Sequence, residues 1–203
     1  MDKNKIKNLI ASFESKQSRT AVIVDFGNVD KWKESLGWKV GIQELAQLVK
    51  HFSKGNRELR RFYYGMDYGP NEKNQTPSMW SFQIIKRAEG NGFCVVDKRV
   101  KYIHNTNNPN GYDKKCDLDV EMAVDLIKMR DLFDNIILFS GDGDLMYATE
   151  YLNKEFGKKV YIFGARGHIG REVMDSVTSN HTEQIFHVED FEYRLNMDRF
   201  RKR

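Results

Sequence analysis

Apolar residues along this chain fall into two alternating patterns. Short continuous runs, TAVIVD (20–25), NIILF (135–139) and KKVYIFG (158–164), have the length and β-branched content of strands buried on both faces. LRRFYYGM (59–66), GFCVVD (92–97) and QIFHV (184–188) read the same way. Between these runs the apolar residues recur at helical spacing, as in Ile42, Leu45, Ala46, Val49 and Phe52. The same spacing predicts helices over 77–89, 118–130, 145–156 and 169–179, with Pro77 near the first turn of the one it opens. Ile6, Leu9, Ile10 and Phe13 predict one more helix at the start, and the polar stretch 98–115 reads mostly as loop with room for a small hairpin.

This alternation predicts an α/β fold: a three-layer αβα, Rossmann-like domain with a mainly parallel sheet. The domain is expected over 20–190, with an N-terminal helix in 1–19 packed on it and a basic C-terminal tail over 191–203. In such sheets ligands bind beyond the carboxyl ends of the strands, where the strand order reverses. Strand exits are therefore the places to look for chemistry.

Composition narrows the classes. A chain of 203 residues with 40% apolar content can bury one substantial core. No apolar run is long enough to span a bilayer, and MDKNKIKNLI is too charged for a signal peptide, so the expectation is a soluble cytoplasmic protein with no membrane role. Cys94 and Cys116 make neither a disulfide framework nor a zinc knuckle, and the five histidines show no HxH or HExxH spacing. The formal net charge of +4 permits a polyanionic partner without arguing for one, so the placement of the charges matters more than their sum.

The acidic residues stand at the predicted strand exits. Asp25 ends the first run, with Asn28 just beyond; Ser140, Asp142 and Asp144 follow NIILF in SGDGD; the helix between carries Asp117, Asp119, Glu121 and Asp125. If the first and fourth strands are neighbours at the reversal point, Asp25 and Asp142 share one crevice. Clustered carboxylates repel unless protonated or neutralised. Hard oxygen donors suit Mg²⁺ or Mn²⁺, and such an ion acidifies a bound water, orients it and stabilises a leaving oxyanion. Each acid also has a structural reading: Asp after a strand favours turns, Asp144 or Asp119 can cap a helix, and Asp117 and Glu121 complement a helix N-terminus. Asp125 sits mid-helix among apolar residues, where it either meets the metal or orients a ligand.

VIVDFGNV, CDLDVEMAVDL, IILFSGDGDLMYATEYL and GKKVYIFGARG together resemble the NYN domains of the LabA-like group, within the PIN-like ribonuclease superfamily. The resemblance covers roughly residues 20–188, and its most specific elements are D-x-x-N, D-V-x-x-A-x-D and S-G-D-x-D. It implies a PIN-like fold and metal-dependent RNA cleavage that leaves a 5′-phosphate and a 3′-hydroxyl. It places the catalytic set on Asp25, Asn28, Asp119, Asp125, Asp142 and Asp144. Within that set Asp25, Asp119, Asp142 and Asp144 hold Mg²⁺ or Mn²⁺, while Asn28 and Asp125 place water or ligands. Asp117 has no counterpart in the pattern and stands as a substitute for Asp119; this chain has KKCDLD where relatives often carry a glycine.

Single-stranded RNA is the expected partner, with a homo-oligomer left open. Its contacts are expected from Ser140, Lys31, Trp32, Lys98, Lys101, Arg166 and Arg171, with Trp32 or Tyr68 stacking on unpaired bases. The competing reading makes the charged runs solvated loops and Trp32 or Trp38 a hydrophobic plug. GARGHIG (164–170) lacks both the G-x-G-x-x-G and the G-K-[ST] patterns, though Arg166 and the amides after it suit a nucleic-acid phosphate. Two other functions compete: a non-catalytic RNA-binding or regulatory module, and a metal-dependent phosphatase or nucleotide hydrolase.

Overall fold

The computed structural model describes residues 4, 19–53, 56, 58–71, 73–179 and 183–199. The continuous apolar runs form the main strands: β1 (Thr20–Asp25), β2 (Arg60–Met66) and β3 (Cys94–Arg99), then β6 (Asn135–Phe139), β7 (Lys159–Gly164) and β8 (Glu183–His187). Between β3 and β6 lies a separate hairpin of β4 (Lys101–His104) and β5 (Tyr112–Lys115). The described helices are α1 (Phe26–Lys31), α2 (Lys33–Leu36), α3 (Ile42–Phe52), α4 (Met79–Gly90), α5 (Asp119–Lys128), α6 (Met146–Phe156), α7 (Arg171–Ser179) and α8 (Glu192–Leu195).

The main sheet has the order β3-β2-β1-β6-β7-β8, and every neighbouring pair is parallel. The chain winds one way from β1 through β2 to β3, then returns to the other side of β1 at β6. The reversal point is therefore the β1–β6 seam, where Val24 pairs with Phe139 and both strands end side by side.

Alternate residues of each strand feed opposite cores. Val22, Val24, Phe62, Ile137, Phe139 and Phe163 pack with α3 and α4 on one face. Ala21, Ile23, Ile136, Leu138 and Ile162 pack with α5, α6 and α7 on the other. Burial on both faces explains why these strands read as continuous apolar runs rather than alternating ones. The expected three-layer αβα architecture is the one observed.

Three local expectations differ. The segment holding Lys31, Trp32 and Lys33, for which no helix is predicted, forms α1 and α2; Asp25 caps α1 by accepting the Asn28 N–H, and Phe26, Val29 and Trp32 bury the inner face. Pro77 precedes α4 instead of entering it, because Ser78 caps the helix by accepting the Ser81 N–H. The segment read as a basic tail opens with ordered structure: Phe191 and Leu195 are fully buried against the α3 face, and α8 follows a short 3₁₀ turn at Val188–Phe191. Its basic composition masked two core residues. The helix expected over 1–19 lies almost wholly outside the described residues.

Because Phe191 is fully buried against Phe163, with ring centroids 5.2 Å apart, Phe191→Ala is expected to cost about 3–5 kcal/mol in urea unfolding. A loss below about 0.5 kcal/mol, ordinary for a surface position, would return the segment to the status of a tail.

Candidate active site

The β1 and β6 exits are joined by a compact set of hydrogen bonds. Asp25 Oδ1 accepts the Asn28 N–H at 3.1 Å, and its Oδ2 accepts the Ser140 hydroxyl at 3.1 Å. Ser140 Oγ in turn accepts the Asp142 N–H at 3.1 Å. Asn28 Oδ1 accepts both the Trp32 indole N–H at 2.8 Å and the Gly141 N–H at 3.1 Å. Asp142 Oδ1 accepts the Asp144 N–H at 3.2 Å, which curls the turn so that both carboxylates stay at its surface.

The two glycines of SGDGD have a steric reason. A Cβ on Gly141 would stand 1.7 Å from the His168 carbonyl oxygen, and one on Gly143 would stand 2.7 Å from Glu172 Cβ. The loop after β7 packs directly on the SGDGD turn, with the Gly170 N–H donating to the Gly141 carbonyl at 2.8 Å.

Asp119 opens α5 opposite this turn. An open cleft of about 560 Å³ lies between, and Asp25, Asn28, Lys31, Asp119 and Asp142 all line it. Burial pushes the Asp119 carboxyl up, and the charges of Asp142, Asp25 and Asp144 add to the effect, so that it titrates at about 6. Burial and the Asp142 charge also raise Asp25, against the Asn28 N–H, the Ser140 hydroxyl and the Lys31 ammonium. Carboxylates from β1, α5 and β6 thus feel one another across a single cleft, with Asp144 exposed at its edge.

Among the described residues, no three acidic, imidazole or thiol side chains close around one point. The donor set still suits a hard divalent ion. All the donors are carboxylate oxygens, their mutual repulsion raises Asp119, and Mg²⁺ in particular keeps several waters while taking only one or two protein carboxylates. Asp25, Asp119 and Asp142 on the cleft wall, with Asp144 acting on Asp119 beside them, are the residues that would hold such an ion.

Other expected site residues lie elsewhere or do other work. Trp32 is fully buried and donates to Asn28, so it cannot stack on a base; the plug reading is the right one. Ser140 is fully buried beneath the cleft, where it positions Asp25 and Asp142 and cannot touch a substrate. Asp125 does not join the acidic group. Six residues along a helix advance it by about 9 Å and turn it by about 240°, and there Asp125 accepts the Tyr63 hydroxyl at 2.8 Å and pairs with Arg61 at 3.7 Å. Asp117 lines the cleft, paired with Lys115 at 3.1 Å.

Lys98 bonds Glu121 at 2.7 Å and the Asp117 carbonyl at 3.1 Å, so it locks the start of α5. Lys101, Arg166 and Arg171 are exposed and do not line the cleft. Tyr68 is covered by the Arg99 guanidinium, 4.7 Å from its ring centre.

Two cleft residues escaped the sequence reading. Asp67, just past β2, accepts the Tyr102 hydroxyl at 2.6 Å and Lys114 Nζ at 2.8 Å, tying the hairpin to the sheet. Hydrogen bonds from Lys114, Tyr102 and the Gly69 N–H outweigh its desolvation and lower its pKa. It stands at a strand exit, the same signal that pointed to Asp25 and Asp142. Trp80, in the first turn of α4, lines the cleft and is 59% exposed. Its sequence neighbours offered no sign of that exposure.

The model of the NYN domain family matches residues 19–185. A curated relative, the low amplitude and bright protein LabA of Synechococcus elongatus, is 24% identical over 159 residues, covering 78% of this chain and 80% of its own. A crystal structure of a protein of unknown function from Vibrio parahaemolyticus superposes with a TM-score of 0.55 at 22% identity, covering 85% of this chain and 94% of that one; it supports the fold. Among the described residues, no helix is long and apolar enough to cross a membrane.

Asp119 carries a pH signature. Its carboxyl titrates at about 6 in the folded chain against an ordinary value of 3.8, so the folded state binds this proton more tightly than the unfolded state. Its contribution to stability therefore falls as pH rises from about 4 to about 6 and is constant above that. Urea unfolding of wild type and Asp119→Asn is expected to show the variant's relative stability growing through that window. A difference independent of pH would contradict the raised Asp119 carboxyl and the burial that is its main cause.

Proposed function

The chain belongs to the NYN domain family of PIN-like nucleases, and on that premise we propose that it is a metal-dependent endoribonuclease acting on accessible single-stranded RNA. The observation that carries this reading is the meeting of Asp25, Asp119 and Asp142, from β1, α5 and the β6 exit, in one open cleft at the reversal point of the sheet.

Asp25, Asp119, Asp142 and Asp144 are the residues that would hold Mg²⁺ or Mn²⁺. When bound, such an ion neutralises the phosphate, acidifies an attacking water and stabilises the leaving oxyanion. The chain's own groups prepare the place for this chemistry. Asp25 is held in one orientation by the Asn28 N–H and the Ser140 hydroxyl, so little reorganisation is needed when its charge is used. The Asn28 carboxamide oxygen is committed to Trp32 and Gly141, which leaves its amide nitrogen for water or substrate at the cleft wall. Lys31, on the same wall, offers a cation to a phosphate oxygen. Hydrolysis by a water on the side opposite the leaving 3′-oxygen yields a 5′-phosphate and a 3′-hydroxyl.

The test incubates labelled single-stranded RNA and Mn²⁺ with the purified chain and with an Asp25→Asn/Asp142→Asn variant. Wild type is expected to cut internally, and the variant to lose at least about 100-fold in rate, at or beyond the loss seen when groups supporting a metal are removed. Equal cleavage by both would assign the activity to a contaminating nuclease. Binding without cleavage across metals would make the chain a regulatory RNA-binding module. Phosphate released from mononucleotides, with RNA left intact, would make it a phosphatase.

A further inference from the structure

The acidic cleft is poorly equipped to hold RNA by itself. Its wall carries Asp25, Asp67, Asp117, Asp119 and Asp142, against the cations Lys31 and Lys114, and Lys114 is already bound to Asp67. Affinity for a polyanion has to come from beyond its edge. Trp80 stands at that edge, because its side chain lines both the acidic cleft and a second groove of about 550 Å³ between α1, α3 and α4.

The charge balance changes sign across the indole. The second groove carries Lys33, Lys39 and Arg87 against Asp30 and Glu44, and Asp30 is paired with Lys33 at 2.7 Å. Lys39 and Arg87 have no ion pair among the described residues.

Trp80 is also unlike the other two tryptophans. Trp32 is fully buried and Trp38 packs partly against the core, whereas Trp80 is 59% exposed and Met79 beside it 71%. The first turn of α4 that carries it is fixed to the β2 exit at both ends. The Ser78 N–H donates to the Asp67 carbonyl at 2.7 Å, and the Asp67 N–H donates to Ser81 Oγ at 3.1 Å. An exposed aromatic ring on a rigid mount, between a site for phosphodiester chemistry and a cationic groove, has the properties of a platform for single-stranded nucleic acid.

We propose that the Trp80 indole stacks on an unpaired base next to the cleaved phosphate, and that the groove beyond it, through Lys39 and Arg87, receives the adjoining backbone. This rests on the reading of the acidic cleft as the RNA-cleaving site and adds to it a binding path and a preference for unpaired strands. A duplex keeps its bases stacked on one another and has none to offer the indole.

The experiment measures binding of a fluorescein-labelled RNA of ten uridines to the full chain carrying Asp25→Asn/Asp142→Asn, which separates binding from cleavage. Adding Trp80→Ala is expected to weaken binding by about 5- to 100-fold, and Trp80→Phe to recover most of that loss. RNA is expected to quench the tryptophan fluorescence of the parent but not of the Trp80→Phe form. Lys39→Ala/Arg87→Ala is expected to make the salt dependence shallower by about one to two in its logarithmic slope, at about 0.7 for each phosphate no longer neutralised. Circular dichroism of each variant verifies folding. Failure of the decamer to bind, or equal affinity with and without the indole, overturns the proposal. Wild type that does not cleave RNA with Mn²⁺, while the Trp80 effects persist, strikes the nuclease reading alone. Cleavage by wild type with binding indifferent to Trp80 strikes this inference alone.

Discussion

The hydrogen bonds that join Asp25, Ser140, Asn28 and Gly141 tie the exits of β1 and β6 together, and the rest of the cleft is placed relative to that tie. Each bond is worth only about 0.5–1.5 kcal/mol net, but they act on groups that repel. Asp25 and Asp142 stand on adjacent loops, and the Ser140 hydroxyl bridges the Asp25 carboxylate and the Asp142 amide. Asn28 adds a second clamp through the Gly141 amide, and Trp32 fixes Asn28 from below. A residue that looked like a base-stacking surface is therefore a buried anchor for the carboxylate turn.

The cations around the cleft show a division of labour. Lys114 bonds Asp67 on the cleft wall, Lys98 bonds Glu121 at the start of α5 and Lys33 bonds Asp30 in the second groove, while Asp25, Asp119 and Asp142 have no ion pair among the described residues. Among the described residues Lys31 is the cation that acts on Asp25, and Asp119, raised chiefly by burial, also feels three carboxylates. Carboxylates thus dominate the centre of the cleft, with Lys31 and Lys114 as the cations of its wall.

Strand exits were legible because burial on both faces leaves a strong linear mark. An apolar run followed at once by Asp and Gly located Asp25 and Asp142, and the αβα order followed from the alternation of periods. The same logic extended to Asp67 would have found the third acidic exit. What misled was local chemistry with two uses. Asp125 fits a helix pattern of the family yet serves Tyr63 and Arg61, because six residues of helix carry it away from Asp119. Phe191 and Leu195 were hidden among charged neighbours, as composition averages over a segment whereas burial selects single side chains.

Taken alone, the order of residues determined the six strands of the main sheet and the longer helices between them, the layered fold, and the fact that acids cluster where strands end. These follow from short-range physics: periodic burial and the preference of Asp and Gly for turns. Which acids meet, and which aromatic faces solvent, was decided by tertiary packing. Placing β6 beside β1 brings together loops 115 residues apart, and the rotation of each helix selects one face to bury. Trp32 and Trp80 are the same residue type beside the same cleft, yet one lies under the turn and the other stands over the groove. Helix orientation, set by the whole core, separates them.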